Sequence, residues 1–355
     1  MGISLALTVA LILVAWAGAA AGLQVVLGTV IPYLAGLTFL GGLIWRVVRW
    51  ARAPVPFRIP TTCGQQKSLP WIRYAAVDNP ATTLGVVARV ALEVLLFRSL
   101  LRNSRFELRE GPKLVYFWEK WLWVAGLAFH WSLFVILTRH LRFFTQPVPA
   151  FVGWLEGADG FFQAWLSALY LTDVVVLVAV TYLFLRRLLI PQVRYVSLPA
   201  DYFPLFLIMG IAGSGVLMRY FFRVDVTAVK ELALGLVTFR PVLPAGLSAL
   251  FYVHLFLVSV LLVYFPFSKL VHMAGIFLSP TRNLANTNRE RRHINPWNYP
   301  VKVHTYEEYE EEFRKHMIAA GIPVERAGPS AQVGIPVEKA GPSAQVDIPV
   351  EKEGQ

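Results

Sequence analysis

The sequence is short of cysteine and of charge, and both shortages exclude common soluble chemistries. Cys63 is the only cysteine among 355 residues. The chain therefore holds no internal disulfide, no cysteine-built zinc site and no four-cysteine iron–sulfur cluster of its own. Charged residues make up 15% of the chain against 56% hydrophobic, where soluble domains carry about a quarter charged. Acidic side chains are the scarcer sign, 22 against 33 basic, for a net charge of +11. A basic balance can signal nucleic acid. Here the basic residues sit beside long apolar runs, which is the pattern of cytoplasmic loops in membrane proteins, and no nucleic-acid partner is expected.

What is abundant is long apolar sequence. A membrane-spanning helix needs about 20 apolar residues, and six segments qualify: Ile3–Ala21, Val30–Trp50, Lys120–Phe144, Phe161–Leu185, Tyr202–Phe222 and Leu247–Phe277. The expected fold class is an all-α integral membrane protein. Its organisation reads as an extra N-terminal helix (1–22), a second span (30–50), a basic loop (51–119), a four-helix membrane region (120–278), a polar tail (279–320) and terminal repeats (321–355).

The loops give the orientation. Arg49 at the end of the second span and Arg52, Arg73, Arg98 and Arg109 after it form one basic segment, with Arg186, Arg187 and Arg194 after the fourth span and Arg282 and Arg289 after the sixth. These three segments share one side, and the loop from Thr145 to Gly160, without Lys or Arg, lies on the other. The basic side is expected to be cytoplasmic, with both termini inside, in the inner membrane. The first span has two readings. It lacks a basic start, which favours a retained helix, while Ala17–Gly22 (AGAAAG) resembles a signal-peptide cleavage region. The stretch Thr82–Leu101 is apolar but carries Arg89, Glu93 and Arg98 at helical spacing, which predicts an amphipathic helix on the inner leaflet; a seventh span is the alternative. In the tail, Glu307–Met317 is an acidic helix candidate. From Gly321 the chain repeats with a period of 13 (GIPVERAGPSAQV, GIPVEKAGPSAQV, DIPVEKEGQ), a composition that cannot build a core and predicts disorder.

Four of the seven histidines fall inside two spans: His130 and His140 in the third, His254 and His272 in the sixth. An ionisable side chain at membrane depth is costly and marks function by default; a helix–helix hydrogen bond is the bland alternative. The two spans run in opposite directions, so His130 meets His272 near the inner face and His140 meets His254 near the outer face. Helical rise puts the two levels about 20 Å apart on average. Two neutral imidazoles suit the axial positions of a low-spin haem iron, whereas zinc wants three or four ligands at one level. With one cysteine there is no CxxCH, so covalent c-type attachment is excluded. The expectation is two haem b, one per histidine pair, held between facing helices. Arg139, Arg142 and Arg219 at the outer level, and Lys269, Arg187 and Arg194 at the inner level, are candidate propionate partners, or else ordinary interfacial cations. Asp173 is a candidate for handling protons, or else simple helix-end polarity. A transporter and a cofactor-free membrane anchor are the readings of another class; no internal symmetry supports the first, and the four matched histidines speak against the second.

The stretches Arg186–Asp201 (RRLLIPQVRYVSLPAD) and His254–His272 (HLFLVSVLLVYFPFSKLVH) resemble the gamma subunit of respiratory nitrate reductase. That resemblance implies a five-helix cytochrome b with two bis-histidine haems, ligated ten residues apart on one helix and eighteen apart on another, which His130, His140, His254 and His272 match. The extra N-terminal span, the long loop and the tail depart from it. Val55–Trp71 (VPFRIPTTCGQQKSLPW) and Thr281–Glu307 resemble a narrower family, DsrM, the cytochrome b subunits of the Dsr electron-transfer complex of sulfur-metabolising prokaryotes. The resemblance implies menaquinone as substrate, a quinone site near the outer haem, and a cytoplasmic iron–sulfur partner similar to heterodisulfide reductase. It also implies a periplasmic multihaem cytochrome c, a periplasmic iron–sulfur subunit and a second membrane subunit. The cytochrome b of a heterodisulfide reductase is the nearest alternative. Cys63 and the basic loop could contribute to docking the cytoplasmic partner; equally, Cys63 could be an incidental thiol, and the loop could serve orientation and anionic lipid.

Overall fold

The computed structural model describes residues 1–53, 64–111, 113–164, 167–279, 282–289 and 304–325. Cys63, the aromatic segment at 295–299 and the repeats after 325 lie outside the described residues. The chain divides into two units, Met1–Asn295 and Pro296–Gln355.

The first unit is a helical bundle. It opens with α1 (Gly2–Ala20) and, after a π-turn at Val26–Val30, α2 (Ile31–Ala51). The basic loop contains α3 (Thr83–Leu96), the single-turn α4 (Arg98–Leu101) and an antiparallel hairpin, β1 (Ser104–Arg109) with β2 (Lys113–Trp118). The long α5 (Lys120–Phe144) leads to α6 (Ala150–Asp159) and a second hairpin, β3 (Gly160–Ala164) with β4 (Ser167–Tyr170). Then come α7 (Leu171–Leu189), α8 (Pro191–Val196), α9 (Pro199–Tyr220), α10 (Val226–Val237) and α11 (Ala249–Tyr264). After α11 the backbone breaks into short pieces that include α12 (His272–Gly275).

Among the described residues, five helices are long and apolar enough to cross a membrane: Gly2–Ala20, Val26–Ala51, Lys120–Phe144, Pro199–Tyr220 and Ala249–Phe267. The fourth expected span, α7, is not among them; it has 19 residues and carries Asp173, Arg186 and Arg187 at its ends. Leu34, Leu37, Leu40 and Ile44 leave the outward face of α2 exposed and apolar, as a face toward hydrocarbon requires. The fold is that of an all-α integral membrane protein with two small hairpins.

Two spans differ from the sequence expectation. The fourth begins at Leu171, ten residues later than predicted, because 160–170 forms the second hairpin. Short apolar runs cannot be assigned to helix or strand by periodicity, and tertiary contacts decide here: the Asp159 carboxylate accepts from the Thr172 N–H (2.9 Å) and hydroxyl (2.6 Å) and so starts α7. The last span was expected to run unbroken to Phe277. The α-helix stops at Tyr264, and Ser268 is extended. Pro266 lacks an N–H and so removes one bond that would continue the α-helix; Phe265 before it stays helical, and Phe265–Phe267 tightens to a 3₁₀ turn ahead of Ser268. The break is packed: Gly42 of α2 lies so close that a Cβ there would sit 2.8 Å from Cγ of Pro266.

Apolar packing joins α5, α7 and α9 through Phe129, Val176, Ala179, Val180 and Ile208. A second cluster, Ala15, Leu207, Val253 and Leu257, joins α1, α9 and α11. Helix α1 is also held by polar contacts: buried Ser4 donates to the Pro199 carbonyl at 2.8 Å. The loop helix α3, too short at 14 residues to span, is amphipathic with its charged face turned to protein: Arg89 and Glu93 are buried, while Leu84 is 79% exposed and Val87 also faces out. Arg98 lies beyond the helix, in α4. The α3–α4 elbow is tied down by Asp78, which pairs with Arg98 (3.2 Å) and Arg102. Against partial burial, which raises it, the two guanidiniums hold the Asp78 carboxyl below the usual carboxylate range.

The second unit contains α13 (Tyr306–Ala319), in agreement with the acidic helix expected over Glu307–Met317. Thr305 and Glu308 form a reciprocal cap at its start, and buried Glu310 accepts from Arg314 at 2.6 Å.

Candidate cofactor site: two histidine pairs

The four histidines come from α5, α11 and the broken segment after it. Ten residues along α5 separate His130 from His140 by about 15 Å. The corresponding rise along the last span does not apply, because the helix is interrupted between His254 and His272.

At the level nearer the basic loops, the rings of His130 and His272 lie 6.0 Å apart between centroids, at 78° to each other. Metal–imidazole bonds of about 2 Å on opposite sides of one ion would put the ring centres at about this separation. The ring nitrogens are arranged to match. His130 Nδ1 lies 2.7 Å from the Gly126 carbonyl, and His272 Nδ1 lies 2.8 Å from the Lys269 carbonyl. A carbonyl can only accept, so each Nδ1 carries the proton and each Nε2 keeps its lone pair.

The far level repeats this logic. His140 Nδ1 donates to the Ile136 carbonyl at 2.7 Å. His254 Nδ1 is 2.9 Å from Ser214 Oγ, and that hydroxyl donates in turn to the Ile211 carbonyl at 2.9 Å. The Ser214 proton being used, its oxygen accepts from His254, and the His254 Nε2 lone pair is also left over. His140 and His254 lie within electrostatic reach of each other. Gly215 adjoins the His254 ring, where a Cβ would come 3.5 Å from Cε1. All four imidazoles therefore have Nδ1 engaged and Nε2 left with its lone pair, the state in which an imidazole can ligate a metal. Among the described residues no group of three or more His, Cys, Asp or Glu could hold a metal ion. The donor set at each level is two neutral imidazoles, which fits a haem iron whose other four ligands come from the porphyrin.

The surroundings of the two levels differ. Phe97, in the left-handed region at φ 50°, closes the α3–α4 elbow and sets its ring edge-on to His130 at 4.9 Å. The elbow is pinned to α5 by two indoles: Trp123 donates to the Leu96 carbonyl (2.7 Å) and Trp131 to the Leu95 carbonyl (3.0 Å). At the far level a buried ionic cluster forms. Arg139 reaches Asp173 at 2.6 Å and Asp159 at 3.3 Å, and its guanidinium lies 3.7 Å from the centre of the Tyr170 ring. Arg219 lies over the same ring at 4.0 Å. The Tyr220 hydroxyl donates to the other Asp173 oxygen at 2.9 Å.

Three of the candidate propionate cations, Arg139, Arg142 and Lys269, have carboxylate partners. Arg139 is committed to two, Arg142 pairs with Glu156 at 2.9 Å, and Lys269 pairs with Asp201 at 2.7 Å while remaining exposed. Arg187 bonds the Ser197 hydroxyl at 3.0 Å. Ser214, Phe97, Asp159, Tyr170 and Tyr220 are not among the site residues expected from the sequence. A hydroxyl inside an apolar run was the available signal for Ser214; Asp159 falls in the expected loop from Thr145 to Gly160, and nothing in the sequence points to Phe97.

The family model described as the nitrate reductase gamma subunit matches residues 81–288 of this chain. A protein of Archaeoglobus fulgidus named Hdr-like menaquinol oxidoreductase cytochrome b-like subunit is 44% identical over 281 residues, covering 77% of this chain and 83% of its own length. A protein of the same name from Archaeoglobus profundus is 44% identical over 274 residues, covering 75% of this chain and 81% of its own length.

Proposed function

This chain belongs to the nitrate reductase gamma subunit family, and we propose that it is a diheme b-type cytochrome subunit that links menaquinone to a cytoplasmic iron–sulfur partner. The observation that carries this reading is the geometry of the histidines: two imidazoles 6.0 Å apart at one level, and a second pair within electrostatic reach at the other, each with Nδ1 occupied and Nε2 free to ligate. His130 and His272 are assigned the haem nearer the cytoplasm, His140 and His254 the haem nearer the outer face. Bis-histidine haems supply one-electron transfer with no open coordination position.

The chain's own residues hold and orient these groups. The Gly126, Lys269 and Ile136 carbonyls and the Ser214 hydroxyl fix the ligand tautomers. Phe97 packs against His130 and narrows the approach to the inner level. Lys269 and Arg142, each paired with a single carboxylate at the edge of the bundle, are assigned to propionates; Arg139 is held in the far cluster. The basic loops are assigned to the cytoplasmic side by their charge, in a cytoplasmic membrane, with the C-terminus inside.

The relatives' name, menaquinol oxidoreductase subunit, supports quinone as this chain's substrate, and its Hdr-like qualifier supports a heterodisulfide-reductase-like iron–sulfur partner. The narrower assignment to the DsrM family, and with it sulfite reduction, rests on the segments around 55–71 and 281–307. It carries the expectation of periplasmic multihaem cytochrome c and iron–sulfur subunits and a second membrane subunit. The second reading, the cytochrome b of a heterodisulfide reductase, shares the haems and differs in the acceptor; the Hdr-like name of the relatives favours it.

The test is haem content of the purified chain by pyridine haemochrome, with a redox titration. Two b haems per chain at two potentials are expected, and His140→Ala is expected to remove one while the other stays. A well-folded preparation without haem would refute the cytochrome reading.

A further inference from the structure

The geometry points to a function for the buried ionic cluster at the far level: Arg139, Asp159, Asp173 and Arg219, gathered round Tyr170, set the potential of the haem held by His140 and His254, and Arg139 is a positioning residue for His140. This rests on the haem assignment above and extends it to residues that do not touch the iron.

Three observations support it. The cluster is neutral, two guanidiniums against two carboxylates, and it is buried: Arg139, Asp159 and Tyr170 are each 7% exposed. Removing one charge would leave another uncompensated in a medium of low dielectric, where its field reaches further than in water. Second, the cluster is adjacent to the ligand. Arg139 precedes His140 on α5, and both Arg139 and Asp173 lie within electrostatic reach of His140. Third, its parts come from different elements and are individually fixed. Asp159 ends α6 and holds Thr172 at the start of α7. Asp173 accepts from Arg139 and from Tyr220 of α9, whose hydroxyl in turn accepts from the Tyr170 N–H at 3.1 Å. Arg219 donates to the Ala168 carbonyl of the hairpin at 3.3 Å. Arg139 thereby ties the turn of α5 that carries His140 to α6, α7 and the Tyr170 ring, which fixes the direction in which His140 projects.

Ferric haem carries one more positive charge than ferrous haem. A net negative charge beside it favours the ferric form and lowers the potential, and a net positive charge raises it. The sign of the shift is therefore set by which member of the cluster is neutralised.

The experiment is a redox titration of the full-length chain in detergent, followed by haem absorbance, with the far haem identified as the one missing from His140→Ala. Asp173→Asn is expected to raise the far potential and Arg139→Gln to lower it. Arg139→Lys and the double variant Arg139→Gln/Asp173→Asn, which keep the cluster neutral, are expected to return it toward wild type, with the inner potential unmoved throughout. Shifts of the same direction in both single variants, or no shift, overturn the inference, since packing damage has no sign. If both single variants lose the far haem, its return in the neutral double variant supports the inference and its continued loss overturns it. A wild-type chain without haem overturns the cytochrome reading, and this inference falls with it.

Discussion

Ser214 offers a test that separates the far histidine pair from the near one by a single hydroxyl. Its Oγ accepts the Nδ1 proton of His254 at 2.9 Å while donating to the Ile211 carbonyl. Ser214→Ala removes the acceptor and little else, since Ser214 is buried and its Cβ stays. The Ile211 carbonyl, freed of the Ser214 hydroxyl, is also within hydrogen-bonding reach of His254; without full compensation from it, the imidazole has two options. It can keep Nδ1–H unpaired, a buried unsatisfied donor costing about 1–3 kcal/mol, or move the proton to Nε2 and lose the lone pair that faces the partner ring. Either way ligand quality falls. Loss of an outer-shell partner typically weakens a metal site by about 10–100-fold, in line with the same energy range at about 1.4 kcal/mol per tenfold. The assay is competitive haem release to an apo-haemoprotein acceptor, with pyridine haemochrome for the total. Ser214→Ala should release the far haem faster by one to two orders of magnitude on this basis, Ser214→Thr should largely preserve retention, and the near haem should keep wild-type retention in both. Equal loss of both haems would show that Ser214 acts through general packing. Unchanged release would show that the His254 tautomer is not set by Ser214, and the ligand argument for that level would fail.

Two further outcomes follow from the basic side of the bundle. Gly42→Ala places a Cβ 2.8 Å from Pro266 Cγ and 3.1 Å from Phe267 Cζ; overpacking of this kind costs about 1–3 kcal/mol, so the thermal midpoint in detergent should drop and the haem at His130/His272 should be lost first, whereas an unchanged midpoint would refute the close approach of α2 to the break. Asp78 titrates below its usual range because Arg98 and Arg102 offset the effect of partial burial, so the folded elbow binds fewer protons than the unfolded chain near pH 4. Its stabilisation is complete above the unfolded carboxylate value and is lost as pH falls through the lower folded one. Hydrogen exchange of the α3–α4 amides, corrected for intrinsic rates, should show protection declining below about pH 4 in wild type and already reduced, without that decline, in Asp78→Asn; superimposable profiles would rule out the Asp78 tie.

The sequence alone determined the membrane class, the approximate spans and the four histidines. Each of these is a one-dimensional property. The thickness of the bilayer fixes the length of an apolar run, and the cost of a polar side chain in hydrocarbon makes a histidine there informative without knowing its neighbours. Family membership was legible for a related reason, since the stretches that carry the resemblance, such as Arg186–Asp201, are continuous in the sequence. The proline at 266 was also visible, but a span long enough to hold both His254 and His272 masked the break it causes. Only the tertiary structure decided which groups face one another. His130 meets His272 across a broken helix, Phe97 reaches His130 from a loop 33 positions away, and Ser214 supports His254 from 40 positions away. Arg139 was read as a partner for a propionate and is found between Asp159 and Asp173. A charge in a span must find a counter-charge, and the sequence says that much; which counter-charge it finds depends on helix rotation and loop path, which are set by packing among residues far apart in the chain.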